Sequence, residues 1–410
     1  MVLYAAAETL DITPRAPCEM GGNGHPGSSW ETIDSQLEAN LLMLTDGTRR
    51  VLLITLDLLY VGEALVASIR EHLAPYIDPD CVMLAASHTH RAPMTDPNKP
   101  VLGTPSEGYF AAVLSRLRRA STELLQGDTE PVEMFTGSGR VPMAVNRRRR
   151  GRLRLTGEGL KTGGVSLAPN PTGPVDDRGA VAEFRRPNGS RVATVWTYAC
   201  HPTSYPTSTA VTADFPGEVR RVLRRDENTP VLYLQGFSGN LRPPAITRLR
   251  DAPLRRARLG PHFRDFRSDE WRAWTVELAR RIEGITLRRV VAERIETRVT
   301  RLPSEVFVAR SRTPYLELQA VAVGRTVLCA ASAEVVTEYS ASIRSALPDL
   351  DVWPVSCTAD VLAYLTTDEQ RELGGYEAVD YCRNLNCDGS QERYQATLES
   401  AMRDLCLSVC

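Results

Sequence analysis

Short apolar runs alternate with stretches whose apolar residues recur at helical spacing along most of the chain, and that alternation predicts an α/β fold. Residues 38–44 and the run Val51-Leu52-Leu53-Ile54-Thr55-Leu56 flank the turn Asp46-Gly47, which signals a hairpin. Helical spacing follows over 62–73, a buried-strand run over 81–86, and a long helix over 108–125 with Phe110, Val113, Leu114, Leu117 and Leu124 on one side. A strand is predicted over 131–143. The segment 146–152 is charged and irregular, and 155–178, rich in Gly, Pro and Thr, predicts a loop. A second hairpin joins 181–185 to 192–199 through Pro187-Asn188-Gly189, and a helix over 214–223 and a strand over 229–234 come next. The remainder predicts a helix over 271–285, strands over 290–301, 315–323 and 325–330, a helix over 334–347, a strand near Trp353 and a last helix over 390–406. No internal repeat or polar linker divides the pattern, so one domain over residues 1–410 is expected.

Composition narrows the function classes. Lys and Arg number 49 against 50 Asp and Glu, so no global basic field points to nucleic acid or an anionic membrane. All but two of the basic residues are arginine, Lys99 and Lys161 being the exceptions, which fits a bacterial, GC-rich coding bias. The nine cysteines are scattered without a Cys-x-x-Cys pair, which argues against a disulfide framework and suits a reducing compartment. The amino terminus lacks the basic start and long apolar stretch of an export signal, and no apolar run reaches the roughly 18 residues a membrane helix needs. The expectation is a soluble, cytoplasmic protein.

Chemistry concentrates where strands end. Ser87-His88-Thr89-His90-Arg91-Ala92-Pro93 follows the apolar run 81–86, and alternate residues on a strand share a face. At about 3.3 Å per residue, His88 and His90 lie roughly 6.6 Å apart along such a strand, close enough to meet at one ion. His201 has the same setting, after an apolar strand and before a proline-containing loop. Strand ends that share one edge of a sheet are where α/β enzymes gather ligands. Glu334 stands at a further strand end before a predicted helix, a position that also favours a carboxylate through the helix dipole alone.

Taken together, Asp11-Ile12-Thr13-Pro14, Asp46-Gly47 and a strand ending in Asp57, Ser87-His88-Thr89-His90, Asn146-Arg147, His201, the segment 236–243, Ala333-Glu334 and Tyr364-Leu365-Thr366-Thr367 resemble, in order, the catalytic domain of the neutral/alkaline non-lysosomal ceramidases. Those enzymes are zinc-dependent amidases. The resemblance implies layered mixed β-sheets flanked by helices and a Zn2+ held by His88, His201, Glu334 and Tyr364. His90 is then the acid/base residue, Tyr364 also stabilises the oxyanion, and Arg147 holds the substrate's polar head. Zinc suits this donor set and lowers the pKa of bound water from about 15.7 to near 7, making hydroxide available to attack an amide carbonyl.

The departures redirect the substrate. Gly239-Asn240-Leu241-Arg242-Pro243 stands where the family carries Gly-Asp-Val-Ser-Pro, so Arg242 replaces a serine, and Arg91-Ala92-Pro93-Met94 replaces glycines. The expectation is an amidohydrolase acting on a small, polar, anionic molecule, with Arg91, Arg147, Arg242 and Asn240 facing it, and without the immunoglobulin-like domain those enzymes carry. Acyl transfer or amide formation on the same zinc scaffold is the alternative reaction. A nucleic-acid binder built on the arginines of 147–154 and 245–267, and a non-catalytic homologue marked by Arg242, are the other readings.

Overall fold

The fold is built three times from one arrangement: two antiparallel strands, a helix, and a third strand parallel to the second. The structure, a computed structural model, describes residues 2–410 apart from 23–28, 152, 157, 158, 163, 225–228, 248–259, 292, 293 and 390–392, with backbone only over 153–156 and 159–162. The large sheet contains β1 (Leu3–Asp11), β2 (Glu38–Thr45), β3 (Arg50–Leu56), β4 (Val82–Ala86), β5 (Glu130–Arg140), β6 (Arg178–Arg185), β7 (Arg191–Tyr198) and β8 (Val231–Gln235). Their order is β8-β7-β6-β5-β1-β2-β3-β4, and the short strand Arg288–Arg289 also pairs with β5. A second sheet runs β9 (Ile295–Pro303), β10 (Tyr315–Val323), β11 (Thr326–Ala331) and β12 (Asp351–Val355) in chain order. The principal helices are α1 (Glu63–Leu73), α2 (Glu107–Gln126), α3 (Asp214–Leu223), α4 (Ser268–Glu283), α5 (Glu338–Ala346) and α6 (Gln395–Leu407).

The three units are β2-β3-α1-β4, β6-β7-α3-β8 and β10-β11-α5-β12. Each ends in a parallel pair: Leu56 beside Ala86, Tyr198 beside Gln235, Ala330 beside Val355. Such strands are buried on both faces, which is why they read as unbroken apolar runs. Leu41, Met43, Leu52, Ile54 and Leu84 join the core that contains Leu65 and Ile69 of α1 and Val113 and Leu117 of α2. The alternate residues Leu42, Leu44, Val51, Leu53, Met83 and Ala85 join Leu232, Leu234, Val321, Leu328, Trp353 and Val355 in a second core. The large sheet curls so that β8 packs against β2, β3 and β4, and the four-stranded sheet contributes to the enclosed interior. A third cluster sets Phe215 and Val219 of α3 and Trp274 and Leu278 of α4 with Trp196 and Tyr233.

Backbone bonds stitch the ends of the parallel pairs to one another. Ser87 donates to Leu56 (2.8 Å), Gly236 to Tyr198 (3.1 Å), Ala86 to Cys357 (3.0 Å), Ser356 to Gln235 (2.7 Å) and Cys357 to Ala333 (3.1 Å). Six strand ends, two from each unit, therefore share one edge, the place where α/β sheets take ligands.

Three segments differ from the sequence expectation. The charged run at 146–152 is largely a strand, Val145–Arg150, pairing with Val165–Asn170 and Leu241–Arg242; both it and the expected loop over 155–178 contribute to this small sheet. Its alternation carries no apolar signal because Glu377 neutralises its buried guanidiniums, taking Arg147 and Arg148 at 2.7 Å each. The helix expected over 334–347 starts at Glu338, and Glu334–Val335 instead pairs in parallel with Tyr364–Leu365. Two-residue strands have no periodicity to read.

Asp57, at the end of β3, accepts both Arg220 amino groups (3.1 and 2.7 Å), and Glu38 accepts Arg220 and Arg224, which ties α3 of the second unit to the first. Removing one partner from a buried pair leaves an uncompensated charge. Arg220→Ala is expected to lower stability by about 3–5 kcal/mol, read from the midpoint of denaturant unfolding; a loss below about 1 kcal/mol would show that the pair does not join the units.

Candidate metal centre

His88, His201 and Glu334 are almost fully buried, at 1 %, 1 % and 2 % exposure, at the shared edge. His88 lies beyond β4, not on it, and has a left-handed backbone (φ 64°). That conformation is uncommon for a residue with a side chain, and this kink, not strand alternation, turns His88 toward His90, with ring centroids 5.0 Å apart. Gly22 (φ +87°) lies so close to His90 that an added Cβ would fall 2.7 Å from its Nδ1. Cys357 also has a positive φ, 56°, at the end of β12.

Each imidazole is held by its Nδ1. The partners are the carbonyls of Leu59 for His88 (3.1 Å), Gly22 for His90 (3.1 Å), and Ser238 (2.7 Å) and Leu241 (3.0 Å) for His201. A carbonyl only accepts, so Nδ1 carries the proton in all three rings and each neutral Nε2 presents a lone pair. The three His donor atoms lie within 4.8 Å of one another. Glu334 Oε2 is 3.0 Å from Nε2 of His201 and 3.3 Å from that of His88, and the Tyr364 hydroxyl is 3.3 Å from His201 Nε2. Nε2 of His90 is buried with no hydrogen-bond partner. Acceptors facing acceptors in a dry site call for a cation, and imidazole, carboxylate and phenol oxygen are donors that fit zinc.

The electrostatics agree. Burial, assisted by charge on His88 and His201, holds His90 well below the ordinary histidine pKa, and burial with the Arg147 charge brings His201 down to about 4. Both rings are thereby kept neutral, the form that ligates metal. His88 goes the other way: burial opposes its charge, but Cys357 and Glu334 raise its pKa well above the usual value. The field at His88 thus demands a positive charge, which a proton or a metal ion satisfies. Despite burial, the two histidines keep Glu334 ionised, well below the ordinary carboxylate range.

The other residues singled out in the sequence divide by placement. Arg147 donates to the Tyr364 hydroxyl (3.2 Å), to Gly239 O (2.6 Å) and to Glu377, so it backs Tyr364 from within the protein. Asn240 spends its amide on the Glu338 carboxylate (3.1 and 2.9 Å) and accepts from the Thr337 amide (2.9 Å), a scaffold arrangement beneath the site. Arg91 is buried, and burial lowers its pKa against the pull of Asp214 and Asp265. Arg242 donates to Ser204 Oγ (2.9 Å) and stacks on Phe263, 4.5 Å from the ring centre. Of the arginine-rich 245–267, positions 248–259 lie outside the described residues, and Arg148 and Arg150 of the other basic run pair with Glu377 and Glu369.

Three neighbours carry no sequence signal. The Tyr60 hydroxyl donates to Glu334 Oε1 and fixes the carboxylate from behind, the role that supporting partners play around metal ligands. Cys357 borders His88. Glu377, which anchors Arg147, lies in the irregular turn Tyr376–Asp380.

No family model matches the chain, and no curated protein matches it. Solved structures do. A neutral ceramidase from Pseudomonas aeruginosa matches all of this chain and 74 % of its own length at a TM-score of 0.77 and 17 % identity. A ceramidase complexed with C2 matches all of this chain and 75 % of its own at 0.75 and 18 %. The chain therefore has, from end to end, the layered α/β fold seen in neutral ceramidase.

Proposed function

We propose that the chain is a zinc-dependent amidohydrolase that cleaves the amide (N-acyl) bond of a small polar substrate. The observation that carries this reading is the convergence of three Nδ1-protonated imidazoles and the Glu334 carboxylate, with His90 Nε2 left without a hydrogen-bond partner. The ceramidase-like fold supports amide chemistry at that edge. Zn2+ bound by His88, His201, Glu334 and Tyr364 would supply an activated water and a Lewis acid for the carbonyl.

The chain's own groups do the rest. His90, neutral and with its Nε2 unengaged, takes a proton from the attacking water and passes it to the departing amine, which is a poor leaving group until protonated. The Tyr364 hydroxyl, oriented by Arg147, faces the carbonyl oxygen and donates as charge grows there. Burial keeps Tyr364 protonated, with a pKa well above that of free tyrosine. Formation of an amide in place of hydrolysis would use the same groups, and competition between water and an added amine separates the two.

Purified protein is expected to hold about one zinc per chain, and His88→Ala or Glu334→Gln to lose both metal and amidase activity. Elemental analysis beside an N-acyl amide screen checks it; metal-free wild type with full activity would overturn the proposal. His90→Gln is expected to keep zinc while kcat falls by about 10²–10⁴-fold, and loss of zinc in this variant would make His90 a ligand instead. Tyr364→Phe should reduce kcat by about 10²–10³-fold, measured with metal content matched; an unchanged kcat removes Tyr364 from the oxyanion role.

A further inference from the structure

Several buried arginines have found carboxylates, and Arg242 has not. Arg147 and Arg148 share Glu377, Arg220 pairs with Asp57 and Glu38, and Arg70 forms a bidentate pair with Glu317 (2.9 and 2.8 Å). Arg242 has no acidic group within ion-pair distance among the described residues. Its one side-chain hydrogen bond goes from Nη2 to Ser204, and its Nε is buried without a partner. Burial and the nearby Arg147 charge lower its pKa to about 10 against the pull of Asp265, which is not within ion-pair distance.

Its position is fixed by the metal centre. The preceding residue, Leu241, gives its carbonyl to Nδ1 of His201, and Ser204 lies three positions after His201, so both of Arg242's attachments border a ligand. The Phe263 ring covers one face of the guanidinium, which holds its plane in place. A planar fork with an unused Nε matches a carboxylate in geometry and charge.

We propose that Arg242 binds a carboxylate on the substrate, so that the amides accepted by this site are acidic ones, of the N-acyl amino acid class. The inference rests on the hydrolase reading for the bond that is cut, but the anion site is read by binding alone. Serine at this position in the ceramidase pattern offers hydrogen bonds without charge; arginine trades a neutral polar head for an anion.

The test is calorimetric titration of zinc-loaded protein with N-acetyl-L-leucine, its neutral amide N-acetyl-L-leucinamide and N-acetyl-O-phosphoethanolamine, beside amine-release assays on the same compounds. The acid is expected to bind about 10- to 100-fold more tightly than the neutral amide. Arg242→Gln should abolish that preference while leaving affinity for the neutral amide unchanged, and Arg242→Lys should retain part of it with native thermal stability. Equal binding of acid and amide by the wild type, or equal loss of both in Arg242→Gln, overturns the proposal. Tighter binding of the phosphate compound overturns the assignment to a carboxylate. Acid-selective binding with no amine released sinks the hydrolase reading and leaves the anion site standing, whereas turnover indifferent to the carboxylate does the reverse.

Discussion

The site is governed by where three histidine protons sit. Because backbone carbonyls hold every Nδ1 proton, the rings cannot satisfy one another at Nε2, and the Glu334 oxygen beside them adds another acceptor. A positive charge resolves such a cluster where burial removes the competing solvent. The local departures from easy backbone geometry serve that arrangement. His88 and Cys357 are left-handed, Gly22 admits His90, and Gly239 packs so tightly below Glu334 that an added Cβ would lie 2.9 Å from the Val335 carbonyl. Strain of this kind persists where surrounding contacts overdetermine it, and here those contacts are the crossed backbone bonds between strand ends.

The threefold use of one topology explains how residues so far apart in sequence meet. The first unit ends in His88 and His90, the second carries His201 after its middle strand, and the third brings Glu334 and, beyond its last strand, Tyr364. No unit holds a complete donor set. A cation at this point would bridge all three, and because an unfolded chain offers no such site, its binding would be linked to folding.

Much of this was legible in the sequence, for a physical reason. The parallel strands are buried on both faces, so their runs of Val, Leu and Ala stand out, and the helices that cross over them keep helical spacing; β10 and α3 match their expected spans, 315–323 and 214–223. His88 and His201 were visible because each directly follows such a run. What escaped depends on partners distant in the chain. The strand Val145–Arg150 carries arginine where a core strand has leucine, and only Glu377, some 230 residues later, makes it burial-competent. Tyr60 and Cys357 look like ordinary residues beside apolar runs until Glu334 and His88 arrive. The repeated unit was invisible because it repeats in topology and not in residues.

The chain's near-neutral net charge conceals how its arginines are spent. A run such as Asn146-Arg147-Arg148-Arg149-Arg150 reads as a basic face in sequence, yet its first two arginines are buried on one carboxylate, and Arg149 donates to the Pro261 carbonyl at 2.6 Å. Those guanidiniums are tied into the fold by these contacts. Arg242 differs because no acidic side chain among the described residues pairs with it, although the residue before it holds His201. A fold shared with neutral ceramidase does not by itself fix the molecule bound there; in the proposed reading that follows from the charges lining the approach. On that edge, an unneutralised guanidinium stacked on Phe263 favours an anionic head over the hydroxylated, uncharged one that a serine would serve.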